Sequence, residues 1–264
     1  MIELAVLDIA GTTVEEHGAV YLALEEAVRA AGGDPSGADI ERWMGADKRE
    51  AITALLTGSL KGGPSGGNAG AASGGGPSGG NAGAASGGGT SAESVDAAFG
   101  GGPSVESVDA AFADFRARLS AAYAARPPAP LPGVPEAIAE LRTMGVKVAL
   151  TTGFDREVTT ALLAAIGWEH GVLDAVICVD DVTAGRPAPY MIFRAMEATG
   201  VHDVGSVLTA GDTVRDLQAG TNAGARIVAG VLTGSQDAAT LGAVRHTHLL
   251  PGVADIPALL GAPL

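Results

Sequence analysis

Four short stretches of the chain carry residue types suited to one kind of chemistry. The apolar run "VLDIAGTTVEE" places Asp8 at its end, ahead of a Gly-Thr-Thr turn. Further on, "VALTTGFDR" ends in the hydroxyls Thr151 and Thr152, "AGRPAPY" supplies Arg186, and "GDTVRD" supplies Asp212 and Asp216. Each has an ordinary structural use: Asp8 caps a turn, Thr151 closes a strand, Asp212 caps a helix, Arg186 meets a surface acid. Acids on two strand ends, with a hydroxyl and a cation between them, are also the makeup of a magnesium-assisted phosphoryl-transfer site. Hard carboxylate oxygens suit Mg²⁺, and metal and guanidinium together neutralise phosphoryl charge. A carboxylate can attack phosphorus and form an aspartyl-phosphate. Position 10 is alanine, where a second carboxylate, able to serve as an acid, is the expected companion of Asp8.

These residues need a scaffold that brings strand ends together. Residues 2 to 7 read as a buried strand. After residue 127 the pattern alternates: helix 135–143, strand "VKVALTT", helix 155–166, strand "AVICV", helix 188–199, strand "SVLTAGD", helix 214–222, strand "RIVAGV". Strands separated by helices of this length predict an α/β fold with a doubly wound parallel sheet. Ligands of such sheets bind beyond the carboxyl ends of the strands. Residues 1–14 and 128–264 are assigned to this core, and 15–127 to a helical excursion inserted after the first strand.

Within the excursion, "HGAVYLALEEAVRAA" predicts one helix, stopped by "GGDP". Two short helices are expected to meet near Gly45 and Ala46, with Asp47 capping the second and Glu50 completing a capping box. The segment "GGPSGGNAGAASG" at 62–74 is repeated without change at 75–87, and "ESVDAAF" at 93–99 returns at 106–112. Repeats so short and so poor in apolar residues cannot offset their ordering entropy. A disordered insertion is expected at about 60–104. A long helix follows, with Val108, Phe112, Phe115 and Leu119 on one stripe, and "RPPAPLPGV" reads as a hinge.

A formal charge of −14 over 264 residues argues against a nucleic-acid partner. An anionic substrate must then be held by local cations or a metal. Cys178 is alone, so neither a disulfide framework nor a cysteine metal cluster is expected, and a buried strand position suits it. No apolar run approaches the roughly 20 residues of a membrane helix. A soluble cytoplasmic protein is the expectation. Any pairing of two copies is expected through the excursion, signalled by an exposed apolar stripe over Val20 to Val28.

The four stretches in this order resemble the motifs of the haloacid dehalogenase superfamily of hydrolases. "DIAGTTV" matches the first motif, Thr151 the second, Arg186 the third and the Asp212–Asp216 pair the fourth. The resemblance implies that Asp8 is the nucleophile. It also implies that Asp8, the Ala10 carbonyl and Asp212 hold Mg²⁺ with Asp216 close by, and that residues 15–127 form a helical cap. In the superfamily's phosphatases the position of Ala10 is an aspartate that protonates the departing alkoxide. Its absence, with "GRPAP", resembles the phosphonatase family, in which a cap lysine forms a Schiff base with an aldehyde-bearing phosphonate. In "RWMGADKREAI", Lys48 follows Met44 and Gly45 as that family's lysine follows its own Met-Gly. Thr12, Thr152, Gly153 and Met44 are then expected against the substrate. The chain departs from the family pattern at Ala51, where the family has histidine, and at Phe154, where it has tyrosine. His17 stands near the place of a family cysteine and reads as a solvated residue at a helix start. The implied substrate is a small anionic phosphonate, with a phosphorylated metabolite as the alternative. Arg49 and Glu50 beside Lys48 predict a partly hydrated amine.

Overall fold

A computed structural model describes residues 1–58 and 102–261. The expected disordered insertion, but for its last three residues, lies outside the described residues. The chain runs β1 (Leu4–Asp8), β2 (Val14–Glu15), α1 (Ala19–Ala30), α2 (Gly37–Arg42), α3 (Lys48–Leu56) and α4 (Val105–Ala125). It continues through β3 (Ala129–Pro130), α5 (Val134–Thr143), β4 (Lys147–Thr151), α6 (Arg156–Ala165) and β5 (Ala175–Ile177). After these come α7 (Tyr190–Thr199), β6 (Val207–Gly211), α8 (Val214–Ala223), β7 (Ile227–Val231), α9 (Ala238–Gly242), β8 (His248–Leu250) and α10 (Ile256–Gly261).

Six strands form one parallel sheet in the order β5-β4-β1-β6-β7-β8. Strand β1 lies inside the sheet and all five of its residues are buried, as a strand covered by helices on both faces requires. Its register pairs Asp8 with Thr151 and Leu7 with Ala210. The carboxyl ends of three neighbouring strands therefore finish at one level. Cys178 falls one residue past β5, buried at the start of a short 3₁₀ turn. Strand β8 and helices α9 and α10 extend the core beyond the expected elements.

The excursion leaves and rejoins the core at one place. Strands β2 and β3 pair antiparallel, Val14 opposite Pro130 and Glu15 opposite Ala129, and Leu131 N–H donates to Thr13 O at 2.9 Å. Between these linkers, α1 and α4 bury their apolar faces against each other. Val20, Leu24, Ala27 and Val28 face Val108, Phe112, Phe115 and Leu119 in one cluster. The Val20–Val28 stripe, whose exposure would have signalled pairing of two copies, is used inside the excursion, and among the described residues of that helix Leu22 is the large exposed hydrophobe. Ser104 caps α4 by accepting Ser107 N–H, and a side chain added at Gly102 would meet the Thr57 methyl at 3.2 Å. Asp47 caps α3, its carboxylate taking the N–H groups of Arg49 and Glu50. The cap is one-sided, because Glu50 does not bond back to Asp47 N–H. No helix among the described residues is long and apolar enough to cross a membrane.

Phe115 is 1% exposed at the centre of the α1–α4 contact. Phe115→Ala should cost about 3–5 kcal/mol, read as a lowered urea midpoint. The loss should appear first in hydrogen exchange of the cap helices.

Candidate active site

The strand ends converge on a cluster of buried charges. Arg186 is 4% exposed, and its Nη2 lies 2.6 Å from Asp8 Oδ1 while donating to Thr151 Oγ1 at 2.9 Å. Its Nη1 sits 2.9 Å from Asp216 Oδ1, but that contact lacks hydrogen-bond alignment and leaves the N–H unpartnered. One guanidinium thus spans two carboxylates and the hydroxyl expected to accompany them.

The acids are held by local turns. Asp216 lies in the first turn of α8, where Thr213 N–H and Thr213 Oγ1 donate to its Oδ2 at 3.1 and 2.5 Å, closing a capping box. The helix cap is therefore Thr213, and Asp212 is free of that task. Asp212 accepts instead from Thr12 Oγ1 at 3.1 Å, Ser235 N–H at 2.8 Å and Ser235 Oγ at 3.2 Å. Thr12, expected against the substrate, is fully buried and spends its hydroxyl on Asp212. The loop after β7 must pass close to Asp212, and a side chain at Gly234 would approach its Oδ2 to 2.0 Å.

Single oxygens of Asp8, Asp212 and Asp216 lie within 4.8 Å of one another. Burial raises the Asp8 carboxyl above the carboxylate range against the pull of Arg186, and Asp216 and Asp212 raise it further. Asp212 is raised by burial and then by Asp216. Three converging buried acids facing one guanidinium leave negative charge that a hard divalent cation would compensate. The donor set fits such an ion.

A cavity of about 400 Å³ opens above this cluster, lined from the core by Asp8, Ala10, Thr152, Gly153, Arg186 and Asp212. The cap contributes Met44, Gly45, Lys48 and Glu16. The two halves are in close contact: a Cβ on Gly153 would stand 2.4 Å from Ala46 O. Arg215 of α8 stacks on the Trp43 ring at 4.8 Å and donates to Arg186 O at 3.1 Å, joining cap, core and charge cluster.

Lys48 differs from the partly hydrated residue expected. It opens α3 and is 4% exposed, whereas Arg49 and Glu50 point outward on the same helix. Arg49 pairs with Asp109 and stacks over Phe112. A helix rotates successive side chains by about 100°, so charged sequence neighbours say little about the face that Lys48 occupies. Its Nζ donates to Ala46 O at 3.0 Å and lies 5.7 Å from the Phe154 ring centre. Among the described residues no carboxylate comes within ion-pair distance of it. Burial pulls its pKa down to about 8, opposed by Asp8 and reinforced by Arg186.

Sequence reasoning did not find Glu16, Ser235 or the Trp43–Arg215 contact. Ser235 follows the end of a strand at "VLTGSQD", the one signal that could have marked it. The site thus joins an acid nucleophile candidate, a bridging arginine, a metal-fitting acid triad and a buried amine on a parallel α/β core.

Residues 2–224 match the haloacid dehalogenase-like hydrolases, and the chain belongs to that family of enzymes. Over 108 residues it is 38% identical to a phosphonoacetaldehyde hydrolase of Bacillus cereus, a match spanning 41% of this chain and 40% of that relative. The chain thus aligns with about two fifths of the length of the curated relatives it matches. Among solved structures it is similar to a phosphonoacetaldehyde hydrolase-like protein from Oleispira antarctica, with TM-score 0.73 and 19% identity over 98% of this chain and 91% of the other. A hydrolase from Pseudomonas syringae gives TM-score 0.72 and 16% identity over 98% and 97%. At these identities the two structures speak for the fold.

The gap between the ordinary lysine value of 10.5 and about 8 at Lys48 amounts to about 3 kcal/mol at pH 7. The unfolded chain binds the extra proton between those values, so wild-type stability rises with pH across that window. Lys48→Met, unfolded in urea with chelator present, should be more stable than wild type by up to about 3 kcal/mol at pH 7. The gain should fade between pH 8 and 10.5.

Proposed function

We propose that this enzyme cleaves the carbon–phosphorus bond of a small 2-oxo phosphonate such as phosphonoacetaldehyde, with Lys48 as the imine-forming amine and Asp8 as the phosphoryl acceptor. The observation that carries this reading is the buried Lys48 amine, free of carboxylate partners among the described residues, in the cavity that also holds Asp8. A lysine with a pKa near 8 keeps a usable neutral fraction at physiological pH. The partial likeness to phosphonoacetaldehyde hydrolase supports the same assignment.

The chain's own residues account for the steps. The neutral Lys48 amine adds to the aldehyde carbon, and loss of water leaves a protonated imine. Arg186 grips Asp8 Oδ1 and is braced by Thr151, which leaves the other oxygen of Asp8 to attack phosphorus. The carbon–phosphorus bond breaks as the oxygen–phosphorus bond forms, and its electron pair passes into the imine to give an enamine. Such a leaving group does not require the acid that Ala10 cannot supply. Protonation and hydrolysis of the enamine release acetaldehyde, and water removes phosphate from Asp8. Mg²⁺ is the ion we assign to Asp8, the Ala10 carbonyl and Asp212, with Asp216 adjacent. When bound, it would neutralise phosphoryl oxygens and keep Asp8 ionised. Thr152, Gly153 and Met44, which line the cavity, are assigned to substrate contact.

A second reading is hydrolysis or transfer of a phosphate ester, with Lys48 as an anion contact. Ala51 at the position of the phosphonatase histidine favours it.

Incubation with phosphonoacetaldehyde and Mg²⁺ should release acetaldehyde, and borohydride should trap substrate carbon on Lys48. Lys48→Arg should reduce turnover to background, and full turnover in that variant would exclude the imine. EDTA should abolish activity until Mg²⁺ is restored. If the ester reading holds, Ala10→Asp should raise phosphatase activity by 10²-fold or more. Such a gain without any borohydride trapping of the wild type would favour that second reading.

A further inference from the structure

We infer that Glu16 is the proton carrier of the imine chemistry at Lys48; the inference rests on the carbon–phosphorus cleavage reading above. Imine formation needs an acid to release hydroxide from the carbinolamine, and the enamine needs a proton on carbon. Ala10 and Ala51 can supply neither. Glu16 is 9% exposed and lines the same cavity as Lys48 and Asp8, from the linker by which the chain enters the cap.

Its position is fixed by the helix that follows. Gly18 precedes α1 without a side-chain cap, and Glu16 Oε2 accepts Val20 N–H at 2.8 Å in its place. Among the described residues no side chain donates to the Glu16 carboxylate, which is met by the Val20 N–H and, more weakly, by the Ala19 N–H. The carboxyl is thus tethered to the start of α1, in a residue that lines the cavity shared with Lys48 and Asp8. The charged and titratable groups around it are Glu15 on its own linker, Lys48 of α3 and the Tyr123 hydroxyl of α4. Burial raises its pKa, opposed first by the Val20 N–H, with Glu15 raising it and Lys48 lowering it. A carboxyl whose burial favours its protonated form, placed in the cavity that holds the reacting amine, suits proton transfer.

The steps balance. The Lys48 nitrogen bonds to the aldehyde carbon, and a proton passes from nitrogen to oxygen to give the carbinolamine. The Glu16 acid protonates the carbinolamine hydroxyl, the carbon–oxygen bond breaks, and water leaves the iminium and a glutamate anion. After a proton returns from solvent, the acid protonates the enamine carbon. That regenerates an iminium, which water hydrolyses to acetaldehyde and the free amine.

Glu16→Gln keeps an oxygen for Val20 N–H and removes the transferable proton, so it separates chemistry from helix capping. The experiment measures the rate of borohydride trapping on Lys48 with phosphonoacetaldehyde from pH 5 to 9, beside phosphate release. Beryllofluoride binding at Asp8 with Mg²⁺ serves as the check on an intact core. Glu16→Gln should slow trapping and kcat about 10²-fold or more and flatten the pH dependence seen in wild type, with beryllofluoride binding unchanged. Wild-type trapping matched by Glu16→Gln at every pH would overturn the assignment and leave the imine reading standing. Absence of trapping in the wild type would overturn both. Should the glutamine variant not fold, Glu16→Asp decides: a slowed rate that keeps the pH limb supports the role, and an unchanged rate refutes it.

Discussion

The buried guanidinium of Arg186 is the constraint on which the site depends. Desolvating a cation and two carboxylates together is costly unless each charge finds a counter-charge at close range. Arg186 reaches Asp8, Thr151 and Asp216 from one planar group, which requires three strand ends to finish at the same depth. The register of β1 with β4 and β6 provides that alignment. Removing either acid would leave one edge of the buried guanidinium without its counter-charge, so the sheet and the charge cluster enforce each other's geometry. The remaining imbalance, three acids to one guanidinium, leaves negative charge that a small hard cation would compensate.

A second dependence runs from core to cap. The cap lysine is desolvated because the loop before α3 sits directly on the core, with the Ala46 carbonyl against Gly153 and Trp43 over Arg215. Contacts that look structural thereby set the chemistry of Lys48. An amine withdrawn from water loses its proton more readily, whereas the same lysine on an exposed helix would stay charged at neutral pH.

The sheet was legible from alternating apolar runs, and so were the residues at its carboxyl ends, because both depend on local pattern. The rule that parallel strands present their ends together was enough to group Asp8, Thr151 and the Asp212–Asp216 pair, whereas their roles were implied by the family resemblance. Other features were hidden because they depend on facing. Lys48 sits between charged neighbours in sequence yet points inward, and Glu16 reads as a loop acid yet caps a helix while lining a cavity. Thr12 was expected at the substrate, but its hydroxyl satisfies Asp212. The Val20–Val28 stripe, whose exposure would have signalled pairing of two copies, is covered by α4. Thr12 and the α1 stripe meet partners tens of residues away or more, and for Lys48 and Glu16 it is the surface their side chains face that no spacing rule announces.

One detail of the cap bears on the stretch that holds the repeats. Thr57 and Gly102 stand side by side, so the two helices they flank are anchored by α1 and by each other, independent of what joins them. A join between two touching points imposes no span, and its length can change in whole units without moving either helix. The segments at 62–74 and 75–87 are identical in sequence and lie between these two points of the chain.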